Sequence, residues 1–136
     1  MRIGEATAKS GVSERMIRHY EAIGLLPAPA RRDSGYRDYD AAEIERLSFI
    51  RRCRELDFSL AEIADLIRLR EDSGRTSAEV KRIAEAHLLK LDAKQRSIEE
   101  MRSALQRLTH ACRGDAEPDC AIIAGLQADA RPESER

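Results

Sequence analysis

The stretch IGEATAKSGVSERMIRHYEAIGLL, residues 3–26, decides how the chain is read. Ile3, Ala6 and Ala8 lie on a short helix, and Gly11 breaks it. Ser13 has the chemistry of an N-cap for a second helix, ERMIRHYEAI, because its hydroxyl can accept one of the unpaired N–H groups of a first turn. Met16, Ile17, Tyr20 and Ile23 form an inner stripe, while Arg15, Arg18 and His19 point elsewhere. Gly24 ends the helix, and LLPAPA cannot continue it. A helix-turn-helix of this kind can place its second helix in the major groove of DNA. Short helical pairs with a glycine turn also occur in proteins that never meet DNA, so the local pattern leaves both readings open.

Working outward, RRDSGYRDYD (31–40) reads as a hairpin around the turn residues Asp33, Ser34 and Gly35. Arg31, Arg32 and Arg37 surround it, interleaved with Tyr36 and Tyr39. A basic hairpin beside a helix-turn-helix is a wing whose guanidinium groups can hold phosphates and set register. Arg37 is assigned to phosphate and Tyr39 to the core. Asp40 caps a third helix with Ile44, Leu47, Ile50 and Cys53 at helical spacing, which makes Cys53 a small buried hydrophobe. Arg51, Arg52 and Arg54 make the other face basic. Ser59 and Glu62 have capping-box spacing for a fourth helix carrying Leu60, Ile63, Leu66 and Ile67 inward.

The composition bounds the rest. The chain has 136 residues, 36% of them charged and 4% aromatic, with no Trp, which suits one small domain plus an exposed helical extension. Net charge is -1, so any nucleic-acid surface must be local. There is no apolar run of membrane-spanning length and no apolar signal core in MRIGEATAKSG, from which a cytoplasmic location is expected. Thiols in that compartment stay reduced. No Ser/His/Asp, paired-carboxylate or phosphate-loop arrangement stands out, so an enzyme is not expected.

Residues 77–109 contain neither Gly nor Pro. Ala84, Leu91, Ile98 and Leu105 repeat every seven residues, and Val80, His87, Lys94, Met101 and Leu108 form a second series. This is an a/d seam on a helix roughly 50 Å long at about 1.5 Å per residue. Such a stripe asks for a partner, because the rest of the chain is too small to cover it.

Beyond it lies ACRGDAEPDC, residues 111–120, with Cys112 and Cys120 in an acidic loop. AIIAGL after Cys120 can form about two helical turns, whose N-terminus would favour negative charge at the second thiol. Thiolates are soft ligands that select Cu(I), and a closed zinc site would want four ligands where this loop offers two. His110 ends the long helix more readily than it joins the loop. A redox pair, or two unrelated thiols, remain the alternatives.

The ordered motifs IGEATAKSGVSERMIRHYEAIGLL, SGYRDY and FSLAEI resemble the MerR family of bacterial transcription regulators, over Ile3 to about Leu126. Two positions depart from the family pattern: His19 replaces a second aromatic before Tyr20, and Asp57 replaces a glycine that would serve as a left-handed helix cap. The resemblance implies a mainly α fold in three parts. A winged helix-turn-helix DNA-binding domain (1–75) is followed by a long dimerisation helix (76–110) that pairs as an antiparallel coiled coil. A metal-binding loop with a short helix (111–126) is the third, and the last ten residues (127–136), outside the resemblance, are expected to form a disordered tail. The implied partners are a second copy of the chain, a palindromic operator in double-stranded promoter DNA, and RNA polymerase, with no membrane. Arg15, Arg18, His19, Arg31, Tyr36, Arg37 and Arg54 are the residues assigned to DNA.

The thiol loop and TSAEVKR (76–82) resemble the copper-efflux (CueR-like) branch of that family. There Cys112 and Cys120 would bind one Cu(I), Ag(I) or Au(I) per loop. The segment around Ser77 would cover the loop of the partner subunit, at a position where divalent-metal branches carry a third thiol. Thr76 and Glu79 have capping-box spacing, with Ser77 at the first helical position. The function so implied is a Cu(I)-responsive activator of a metal-efflux promoter that works by distorting DNA. A divalent-metal or redox-sensing relative is the alternative. A metal buffer or coiled-coil adaptor, which would need neither Arg18 nor Arg37, is the reading from another class.

Overall fold

Four side chains cap helices where the sequence places them. In the computed structural model, which describes residues 1–33 and 35–128, Ser13 accepts from the N–H of Met16 and starts α2 (Glu14–Ala22). Asp40 with Glu43, and Ser59 with Glu62, make reciprocal capping boxes for α3 (Ala41–Glu55) and α4 (Leu60–Arg70). Thr76 accepts from the N–H of Glu79 at the head of α5 (Ser77–Ala111), leaving Ser77 as its first residue. Each such cap contributes about 1 kcal/mol by satisfying donors that the helix itself cannot. The remaining elements are α1 (Ile3–Ser10), the two-residue strands β1 (Ala30–Arg31) and β2 (Arg37–Asp38), and α6 (Ala121–Ala128).

The chain divides between Ile83 and Ala84 into two units. In the first, Gly11 takes φ 76 and lets α1 turn into α2, and a Cβ there would stand 3.0 Å from Arg51 Nε. Ala6, Ile17, Leu26, Tyr39, Leu47, Ile50 and Ile63 are almost completely buried and form the core. β1 and β2 pair antiparallel, Ala30 opposite Asp38 and Arg31 opposite Arg37, so the expected wing is present. Cys53 is buried as expected, and its thiol pKa is raised by desolvation.

Ile23 does not join the inner stripe. It is 48% exposed because α2 stops at Ala22, and Gly24, at φ 81, swings the chain round. The amides of Leu25 and Leu26 then both donate to the carbonyl of Tyr20, and these two leucines take the buried place assigned to Ile23.

Asp57 closes α3 in the left-handed region, at φ 69, where the backbone favours glycine. Asp57→Gly is therefore expected to stabilise the protein by about 0.5–1 kcal/mol. A urea midpoint that stays put or falls would show that what the aspartate side chain contributes outweighs the cost of its left-handed backbone.

In the second unit α5 continues without a break to Ala111. Ile98, Met101 and Leu105 of the heptad series are more than half exposed within the single chain. Leu88 and Leu89 are also exposed, off that series. The expected loop boundary at 126 falls inside α6, which runs to Ala128. The rest of the tail lies outside the described residues. Gly125 packs against α5 so closely that a Cβ on it would run into Leu108 Cδ2. Among the described residues, no helix is long and apolar enough to cross a membrane.

Candidate metal loop and nucleic-acid surface

The C-x7-C frame brings its two sulfurs together. Cys112 sits one residue past α5, with its N–H donating to the carbonyl of Leu108 at 3.1 Å. Gly114, at φ 67, reverses the chain, Arg113 pairs with Asp115 at 3.3 Å, and the N–H of Glu117 donates to Asp115. Cys120 then stands directly ahead of α6, 3.8 Å from Cys112, sulfur to sulfur. Both thiols are reduced and half-buried.

The Cys120 thiol is held below its ordinary pKa. The N–H of Ile123 contributes most, helped by the N–H of Ile122 and the Cys112 side chain, and partial desolvation opposes them. These are the open donors of the α6 first turn, and they favour the thiolate. A lower pKa enlarges the thiolate fraction at a given pH, and the thiolate is the reactive form. Iodoacetamide at neutral pH should therefore modify Cys120 well before Cys53. Peptide mapping that found Cys53 alkylated first would contradict this geometry.

The donor set fits a small soft ion. A linear S–metal–S unit spans two metal–sulfur bonds, roughly 4.6 Å at the ~2.3 Å usual for zinc thiolates. The thiols must part by somewhat under ~1 Å to admit one, a small adjustment for a loop. Among the described residues, no group of three or more His, Cys, Asp or Glu side chains is placed to hold a metal, so His110 is not gathered into the site. His110 instead lies in the last turn of α5, as expected. His87 is already buried within the chain.

The residues assigned to DNA fall into three groups. Arg18, Arg31, Tyr36 and Arg37 line one groove together with Arg2, which the sequence reading did not single out. Arg15 and His19 are exposed on α2 outside that groove, with His19 tilted against Tyr20 at 6.1 Å between ring centroids. Arg54 is exposed at the end of α3, outside that groove, and its Nη1 donates to the carbonyl of Phe58 at 2.8 Å, bracing the turn that follows.

Arg37 also has an internal partner. Its Nε lies 3.1 Å from Oε1 of Glu21, whose side chain is 6% exposed, as an ion pair without hydrogen-bond alignment. The other oxygen of Glu21 accepts from the Tyr39 hydroxyl at 2.6 Å. Burial, followed by that bond, pushes the Tyr39 phenol pKa up. Glu21 thus ties β2 to α2, and Arg37 serves the wing's position as well as its charge.

A winged helix-turn-helix, a long helix with exposed apolar residues and a two-thiol loop together define a DNA-binding transcription regulator. The MerR HTH family regulatory protein profile matches residues 1–70, and the MerR, DNA binding profile matches residues 44–108. The chain is 45% identical over 126 residues to the HTH-type transcriptional regulator HmrR of Rhizobium leguminosarum bv. viciae, covering 93% of this chain and 97% of that one. It is 34% identical to the HTH-type transcriptional regulator CueR of Escherichia coli O6:H1, over 93% of each. The crystal structure of the transcription regulator PbrR691 from Ralstonia metallidurans CH34, in complex with lead(II), superposes with a TM-score of 0.76 at 36% identity, covering 93% of this chain and 98% of that one. The chain belongs to the MerR family: it is a transcription regulator and not an enzyme.

Proposed function

We propose that this protein, a metal-responsive MerR-family regulator, senses Cu(I) or a similar monovalent soft ion through Cys112 and Cys120 and switches on a metal-efflux promoter. The observation that carries this is the pair of thiols 3.8 Å apart at the head of α6, with no third metal ligand gathered beside them among the described residues. Two thiolates and a +1 ion leave one net negative charge, which the open N–H groups of that helix end favour. The kinship with CueR supports the same reading.

Ser77 contributes by what it withholds. A third thiolate would raise both charge and coordination number and suit a divalent ion. In the proposed assembly two copies pair through α5 as an antiparallel coiled coil. Ser77 of one copy then covers the loop of the other, and two wings meet a palindromic operator. Metal binding changes how the dimer distorts promoter DNA, so that RNA polymerase engages it. The lead(II) complex of PbrR691 supports a second reading, a divalent sensor.

Titrating the reduced protein with Cu(I), Ag(I), Zn(II) and Hg(II) during in-vitro transcription from its own upstream region separates the two. Activation by Cu(I) and Ag(I), with two short Cu–S distances in X-ray absorption, is the expected result. Activation confined to divalent ions, or a third sulfur around Cu(I), would overturn the monovalent reading.

A further inference from the structure

Arg2 stands at the head of α1 and makes no side-chain cap for it. Its guanidinium carbon lies 4.0 Å from the centroid of the Tyr36 ring, on the wing. Arg2 lines the same groove as Arg18, Arg31 and Arg37. These other three arginines each have a protein acceptor: Glu14 for Arg18 at 3.0 Å, the Gly35 carbonyl for Arg31 at 2.8 Å, and Glu21 for Arg37 at 3.1 Å. Among the described residues Arg2 has the Tyr36 ring and no carboxylate. A guanidinium stacked on an aromatic face uses its π surface, which leaves the N–H fork at its edge open. That fork matches two oxygens of one phosphate group.

We propose that Arg2, held flat by Tyr36, is an additional DNA-backbone contact that receives one phosphodiester in this groove. Tyr36 is the positioning residue that sets the plane of the fork. The proposal rests on the DNA-binding reading and adds a contact outside both α2 and the wing. Because phosphate carries no sequence information, Arg2 contributes equally on operator and non-operator duplexes. The internal acceptors of Arg18, Arg31 and Arg37 restrain those side chains, so Arg2 is the arginine with the most open donors to offer.

The test measures binding of the full chain to its operator and to a scrambled duplex over a range of salt. Arg2→Ala, present in both copies of the dimer, should weaken both by about ten-fold and lower the salt slope by about two, one per copy. Arg2→Lys should restore the slope but not the full affinity, since a point charge replaces a planar fork. In a Tyr36→Leu background Arg2→Ala should lose distinctly less than in the wild type, because the platform is already gone. Thermal unfolding should shift only by what one exposed ring contact contributes, as the Arg2 side chain caps nothing. A wild type that binds its operator while Arg2→Ala keeps the same affinity and slope overturns this proposal alone. Strictly additive losses in the double variant overturn the role of Tyr36. A wild type that fails to bind the operator overturns the DNA-binding reading and this proposal with it.

Discussion

Cys112→Ser and Cys120→Ser are each expected to reduce metal-activated transcription to the basal level while leaving operator affinity nearly unchanged. Both sulfurs are needed if the ion is held by two ligands, and a serine hydroxyl does not replace a thiolate for a soft cation. Neither residue belongs to the groove of Arg2, Arg18, Arg31 and Arg37 to which DNA binding is assigned, so operator binding should survive. Cys53→Ser is the matched control. Cys53 is 7% exposed and packs in the core of the first unit, so its replacement buries a hydroxyl at about 1–2 kcal/mol of stability and keeps the metal response. In-vitro transcription with Cu(I), read beside fluorescence anisotropy on the operator, checks all three variants. Full activation in either loop variant would sink the two-thiolate site.

Ile98→Glu should have an effect of similar size by a different route. Ile98 is 53% exposed in the single chain, with Met101 and Leu105 beside it at 61% and 54%. Apolar side chains recurring at a and d positions ask for a second helix, and a glutamate there would be buried without a partner in each copy. The expected cost is about 3 kcal/mol or more, over a hundred-fold in dimer affinity. Operator binding should fall with it, since one copy reaches half of a palindrome. Ser103→Glu, on the opposite face of the same helix, should leave the assembly intact. Sedimentation of a dimeric wild type and a monomeric variant at micromolar concentration is the expected outcome, and a wild-type monomer there would refute the pairing.

Much of the fold was legible because helix ends are settled locally. Ser13, Asp40, Ser59 and Thr76 could be picked out as caps since each answers a donor three residues ahead, and all four make that bond. The left-handed cap at Asp57 was visible as a departure from a glycine pattern. Ile23 was misplaced because periodicity alone does not say where a helix stops, and here Gly24 acts one residue sooner than the stripe suggests. The pairing of Arg37 with Glu21 and the stacking of Arg2 on Tyr36 join residues remote in sequence, and no periodic signal marks such pairs. The cysteine frame gave the identity of the candidate ligands. The distance between them depends on how Gly114 turns the loop and where α6 begins, which spacing alone does not supply.

The contact of Gly125 with Leu108 has a consequence for how a sensor of this build can change its threshold. The helix that follows Cys120 rests on the one that precedes Cys112, and the missing Cβ of Gly125 is what lets it sit so low. Any larger residue there must push Leu108 aside or raise the helix, and the second of these alters the gap between the sulfurs. On the proposed two-thiol reading, drift at Gly125 would thus retune the ion concentration at which the promoter fires. The two proposed ligands, Cys112 and Cys120, would stay as they are.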